Sequence, residues 1–255
     1  MSVLLFPPKE SALVKVFCFP FAGGNASAYL KWTSQLPEWL DVCMVEMPGH
    51  GIRSQEVLVN DIQKLAKQLY QDLASYCDRP YVLFGHSMGA LVALELAHYI
   101  QQQPDSVVTG YCKSILVSGR PAPSHALLGH NHHLLDDATL LQNLSRFGGI
   151  PKELEEYPEL VELAMPILRN DVSLIELAEP NQVHLKQLDI PLMAVSGTNE
   201  PDFNYEGLVS WRHYTTEWLG AHQISGDHFY FQEPKALEQL CGLIKMHCGN
   251  IYSHV

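Results

Sequence analysis

Apolar residues in this chain gather in short, near-continuous runs, and between the runs they recur at every third or fourth position. The runs are 13–19 (LVKVFCF), 41–47, 81–84 (YVLF), 114–118, 191–196 and 221–225. Runs of that length, closed by proline or glycine, predict strands buried on both faces. Helical spacing marks 26–36, a segment from the Asp61 cap to 76, then 88–102, 208–214 and 235–247. Strand alternating with helix predicts an α/β architecture, a mostly parallel sheet covered by helices on both faces. Between about 122 and 186 the alternation stops, and the pattern is helical at 137–146 and 159–169. We read residues 1–255 as a single domain and 122–186 as a helical insertion over the sheet, either a lid or ordinary extra helices.

Composition narrows the classes. A chain of 255 residues that is 47% hydrophobic supports a sizeable core. No apolar stretch reaches the ~18 residues that a membrane-spanning helix needs. The opening MSVLLFPPKE lacks the basic leader and small-residue cleavage site of a secretory signal, so a cytoplasmic protein is expected. A net charge of −12 argues against nucleic acid and anionic membrane surfaces as partners. An acidic partner would therefore need a local basic patch. Arg53, Arg120 and Arg169 are candidates for one, or else structural ion-pair donors. The six cysteines form no CxxC pair, and Cys18 and Cys43 read as buried thiols within apolar runs. The HNHH stretch at 130–133 lacks the helical spacing of HExxH, so neither a metal nor a cofactor is expected.

Chemistry enters at Gly85-His86-Ser87-Met88-Gly89. Glycines on both sides of a serine, after YVLF and before MGALVALELAHYI, give the strand–turn–helix context of a nucleophile elbow. Ser87 is the expected nucleophile, and the backbone N–H of Met88 opens the helix beside it as an oxyanion donor. A serine hydroxyl is a weak nucleophile and needs a base, which in turn needs an orienting carboxylate. With the chain order Ser, acid, His, the base is expected in the loop after the last strand, where His228 lies in SGDHFYF. His184, His213 and His222 fall within or before expected elements, and His86 reads as structural. The acid is expected just past the 191–196 strand, where Glu200 and Asp202 both qualify. A second oxyanion donor is expected from FPFAGGN, after the first strand.

Taken in order, FPFAGGNASAY, MPGHGIR, FGHSMGALVALELA, FGGIP, PILRND, the tryptophan of VSWRHYT and SGDHFYF resemble the external (type II) thioesterases of nonribosomal peptide and polyketide synthesis. The resemblance runs from about 17 to 231. It implies an α/β-hydrolase fold with a helical lid. It also implies hydrolysis of acyl or aminoacyl thioesters from the phosphopantetheine arm of carrier proteins, by a monomer. Carried over residue by residue, it implies Ser87 as nucleophile, His228 as base, and the N–H groups of Ala22 and Met88 as oxyanion donors. Where the family has G-x-x-D-P, this chain has Gly197-Thr198-Asn199-Glu200-Pro201, and that register favours Glu200 over Asp202 as the acid. Three other readings share the scaffold: a carboxylesterase or lipase of small oxygen esters, a non-catalytic carrier-binding protein, and a medium-chain-releasing thioesterase of fatty-acid synthesis.

Overall fold

A computed structural model describes residues 2–103, 106–125, 131–148, 157–182, 186–201 and 204–253. Strands β1 (Val14–Phe19), β2 (Leu40–Met44), β3 (Tyr81–His86), β4 (Cys112–Ser118), β5 (Leu192–Gly197) and β6 (Trp218–Ile224) form one sheet. Their order is β2-β1-β3-β4-β5-β6 and every pairing is parallel. Every residue of β1, β2, β3 and β5 is buried, so both faces of the sheet are covered. Near-continuous apolar runs are the sequence record of that double burial.

Helices α1 (Ile62–Leu73), α2 (Met88–Gln101), α3 (Val107–Tyr111), α4 (Asp137–Ser145), α5 (Pro158–Gln182), α6 (Tyr205–Val209) and α7 (Pro234–Tyr252) complete the frame. On α1, capped by Asp61, the buried residues Ile62, Leu65, Ala66, Leu69 and Leu73 make one stripe. Each such leucine removed from water contributes about 1.5–3 kcal/mol. Helix α2 is buried almost all round, packed on β1, β3 and β4 beneath and on α1 and α5 beside it. No helix among the described residues is long and apolar enough to cross a membrane.

Some elements differ from the pattern-based expectation. The 26–36 segment is a 3₁₀ helix, Ala26–Ser34, where Thr33 and Ser34 hydroxyls bond back to the carbonyls of Leu30 and Lys31. Such local bonds compete with α-helical ones. Strand β6 starts earlier than expected, at Trp218. It is a half-buried edge strand with a register shift beside Gly220, so its apolar signal is diluted. Helix α5 runs through Pro166 to Gln182, well past 169. The 208–214 segment is α6 followed by a 3₁₀ turn, Ser210–Tyr214, and the short helix α3 was not anticipated.

The strand order reverses between β1 and β3. The connections leaving their carboxyl ends diverge there, which opens a crevice at the place where ligands bind in open α/β sheets.

Candidate active site

Ser87 stands at the carboxyl end of β3 with φ 54° and ψ −113°, a left-handed backbone that a non-glycine residue rarely adopts. Its flanking glycines are steric requirements. A Cβ on Gly85 would lie 2.0 Å from the carbonyl oxygen of Gly89, and one on Gly89 would lie 2.2 Å from that of Phe19. The N–H of Ser87 donates to the Ser118 carbonyl at 2.8 Å, tying the elbow to the end of β4. Met88 is the first residue of α2, so its N–H has no partner inside the helix.

Two loops at the same edge of the sheet carry the acid and the base. Gly197 ends β5 so close to the β6 exit loop that a Cβ there would meet the Asp227 carbonyl at 2.3 Å. Thr198 and Asn199 donate their N–H groups to the carbonyls of Ile224 and Gly226, both at 2.9 Å. Stitched this way, Glu200 and His228 meet: Glu200 Oε2 lies 2.8 Å from His228 Nδ1, with both side chains buried. The carboxylate accepts from Nδ1–H, which leaves Nε2 unprotonated and able to take a proton. The second oxygen, Oε1, accepts the Gly197 N–H at 3.3 Å. The glutamate stem is thus accommodated by a bond to the strand end. Asp202, the other candidate acid, lies outside the described residues.

The ring of His86, the residue before Ser87, lies 4.9 Å from the ring of His228, which puts the imidazole of His228 beside the end of β3. His86 itself is fully buried, and its Nδ1 bonds the Ser118 hydroxyl at 2.9 Å, which in turn meets the Tyr230 hydroxyl at 2.8 Å. Burial, with the nearby His228 adding to it, pushes the His86 pKa well down, so this imidazole stays neutral. Phe147, next to the end of α4, places its ring 5.1 Å from that of His228 and walls the site with apolar surface.

Between β1 and its 3₁₀ helix, residues 21–24 form a turn closed by the Gly24 N–H on the Phe21 carbonyl at 2.9 Å. Gly23 has φ 73° in the third position, where a type II turn needs glycine. Its N–H donates to Asp171 Oδ2 at 2.8 Å. Among the described residues the N–H of Ala22 has no acceptor.

The remaining sequence candidates sit elsewhere. His213 is exposed, His222 is on β6 and His184 lies outside the described residues. His132 and His133 of the HNHH stretch both approach the Glu176 carboxylate of α5, while His130 is outside the described residues. All six cysteines are buried free thiols. Arg53 is held by Glu56 and Asp72, and Arg169 by Asp137 and the carbonyls of His133 and Leu135. Arg120 is fully buried. Those three arginines therefore build no exposed basic patch. Sequence reasoning assigned no role to Phe147, His50 or Asp171, although FGGIP, MPGHGIR and PILRND were among the segments that carried the resemblance.

A parallel sheet with a strained serine at its switch point, and a carboxylate-held histidine on the same edge, defines the α/β-hydrolase class of serine hydrolases. Comparison with known proteins narrows it. The family model for a thioesterase domain matches residues 14–248, and the chain belongs to that thioesterase family. The linear gramicidin dehydrogenase LgrE of Brevibacillus parabrevis is 34% identical over 94% of this chain and 90% of its own length. The RedJ thioesterase of the prodiginine pathway in Streptomyces coelicolor is 29% identical and superposes with a TM-score of 0.81, covering 92% of this chain and 86% of that one. BorB, the type II thioesterase of the borrelidin biosynthetic cluster, is 30% identical with a TM-score of 0.77, covering 96% and 94%. The present chain is a thioester hydrolase of this type II class.

Proposed function

We propose that this protein hydrolyses acyl or aminoacyl thioesters from the phosphopantetheine arm of carrier proteins, as an editing or releasing enzyme of nonribosomal peptide or polyketide synthesis. YbtT, a type II thioesterase named for the yersiniabactin NRPS/PKS biosynthetic pathway, is 27% identical and aligns over 99% of this chain. The LgrE relative carries a dehydrogenase's name. Here β1 leads instead into Pro20-Phe21-Ala22-Gly23-Gly24, a loop suited to oxyanion donors rather than the glycine fingerprint of a dinucleotide site.

His228, oriented by Glu200, takes the proton of the Ser87 hydroxyl as Oγ attacks the thioester carbonyl. The N–H groups of Met88 and Ala22 hold the oxygen that becomes negative. The carbon–sulfur bond breaks and the imidazolium returns the proton to the pantetheine sulfur. Water, deprotonated by His228, then attacks the acyl-serine, releasing the acid and restoring Ser87. The reaction needs no metal or cofactor. The chain acts as one domain, with 122–186 as a lid that shapes the acyl chamber and the entrance for the arm. We further place the enzyme in the cytoplasm as a monomer, in keeping with six unpaired buried thiols.

The observation that carries this reading is the Glu200–His228 pair, held at the same sheet edge as the strained Ser87. Ser87→Ala is expected to abolish release of an acyl group from a loaded carrier protein, at least 10³-fold by rough triad precedent, with the thermal unfolding curve unchanged. Wild-type turnover in that variant removes the nucleophile assignment. Rapid turnover of a simple nitrophenyl ester, with none of a carrier-bound thioester, would redirect the reading to a carboxylesterase.

A further inference from the structure

The Gly23 N–H is already spent on Asp171, a residue of α5 that lies 148 positions away in sequence. In a turn such as 21–24 the central peptide has two orientations, type I and type II, that point its N–H to opposite sides, and glycine in the third position admits both. The glycine permits the type II form seen here, with its positive φ, but does not enforce it. A carboxylate on one side does, because a hydrogen bond to an ionised acceptor is about twice as strong as a neutral one.

The carboxylate is itself held. Asp171 is 1% exposed, and its Oδ1 accepts from the Asn170 side chain at 3.2 Å. Oδ2 also lies 3.0 Å from His50 Nε2, and His50 Nδ1 lies 3.0 Å from the Pro48 carbonyl. A carbonyl only accepts, so both ring nitrogens are called on to donate, and the imidazolium is the form that satisfies both. Burial works against that charge, but the bond to Asp171, its negative charge, the Pro48 carbonyl and Glu46 outweigh it and raise the His50 pKa. Helix α5 touches the same glycine a second way. A Cβ on Gly23 would lie 2.5 Å from Leu168 Cδ2, so Leu168 fills the space that glycine leaves.

We propose that Asp171, backed by His50, is a positioning residue for the oxyanion hole: by holding the Gly23 N–H it fixes the 21–24 turn, and with it the preceding Phe21–Ala22 peptide, whose Ala22 N–H is the second oxyanion donor. The proposal rests on the reading of Ser87 as nucleophile. It makes α5 more than a cover for the site. A shift of that helix carries the second oxyanion donor with it, so the lid segment and the catalytic electrostatics are mechanically joined.

The test compares wild type, Asp171→Asn, His50→Gln and Ser87→Ala on a loaded carrier protein. It also measures inhibition by a boronic acid that carries the same acyl group and mimics the tetrahedral intermediate. Asp171→Asn keeps the volume and removes the charge. Its kcat is expected to fall about 10- to 100-fold, bounded by the 10²–10³ that one oxyanion donor is worth. KM should change less than about threefold, because only transition-state binding is lost. Boronate affinity should weaken by the same factor as kcat. His50→Gln should shift both quantities in the same direction by less, and it decides the matter should Asp171→Asn fail to fold. A rate loss that follows KM or the folded fraction, with boronate affinity unchanged, overturns the proposal. So does an Asp171→Asn enzyme with wild-type kcat beside a dead Ser87→Ala. An active Ser87→Ala would instead overturn the nucleophile reading beneath it.

Discussion

Glu200 occupies a register where the family pattern has aspartate, and its extra methylene is absorbed by the Gly197 N–H on Oε1 while Oε2 reaches His228 at 2.8 Å. The neutral amide of Glu200→Gln cannot stabilise the imidazolium or enforce the tautomer. Its kcat should fall about 10³–10⁴-fold. Glu200→Asp retracts the carboxylate by one carbon–carbon bond, about 1.5 Å. It should lose roughly 10²-fold, the scale of a 1 Å misplacement. Asp202→Asn should stay within about twofold of wild type if Glu200 alone orients the base. Steady-state kinetics on a loaded carrier checks all three, and a larger loss in Asp202→Asn than in Glu200→Gln reverses the assignment. The serine elbow was legible because its requirements are local: two glycines, a strand before and a helix after. His86 was legible as structural for the same reason, since side chains next to each other on an elbow diverge. Asp171 and His50 were not, because a carboxylate that accepts from a backbone N–H leaves no composition or spacing signature.

At the scale of elements, α5 is anchored from both sides. Its Asp171 reaches the β1 loop, and its Glu176 gathers the 131–135 segment by accepting from the His132 N–H at 2.7 Å and from both imidazoles. Burial pushes the Glu176 carboxyl upward, but the bonds from His133 and His132 outweigh it and the pKa is lowered. A lowered carboxylate stabilises above its unfolded value of about 4.3. That contribution disappears as pH falls through the folded value. The 131–135 segment should therefore loosen from α5 below about pH 4.3, and Glu176→Gln should loosen it already at neutral pH. Hydrogen exchange of residues 131–135 at pH 7 and at about pH 2.5, well below the unfolded carboxylate value, reads this directly. Equal protection in wild type and Glu176→Gln at both pH values would show that other contacts hold the segment. Strand and helix types were legible from periodicity. Their bounds shifted where tertiary contacts intervened, as at the edge strand β6 and along α5, which continues through Pro166.

For the whole molecule, the net charge of −12 bears on encounter rather than on fold. Arg53 and Arg169 are tied to carboxylates within the chain, and Arg120 is buried. With those three arginines engaged or buried and the net charge negative, kcat/KM for an acidic carrier should stay level or rise with added salt, which screens repulsion. A tenfold fall between low and physiological ionic strength would reveal a local basic patch. The architecture, the elbow serine and the late histidine were determined by the sequence alone, because near-continuous apolar runs, glycine spacing and chain order are one-dimensional signals. The registry of the resemblance extended that to a choice of Glu200. Tertiary structure decided what depends on approach through space: the joining of the Glu200 and His228 loops by backbone bonds, the Phe147 ring over the imidazole, and the long-range hold of Asp171 on Gly23. Each unites residues from elements far apart in the chain, and only the packing of those elements brings the groups within hydrogen-bonding or van der Waals range.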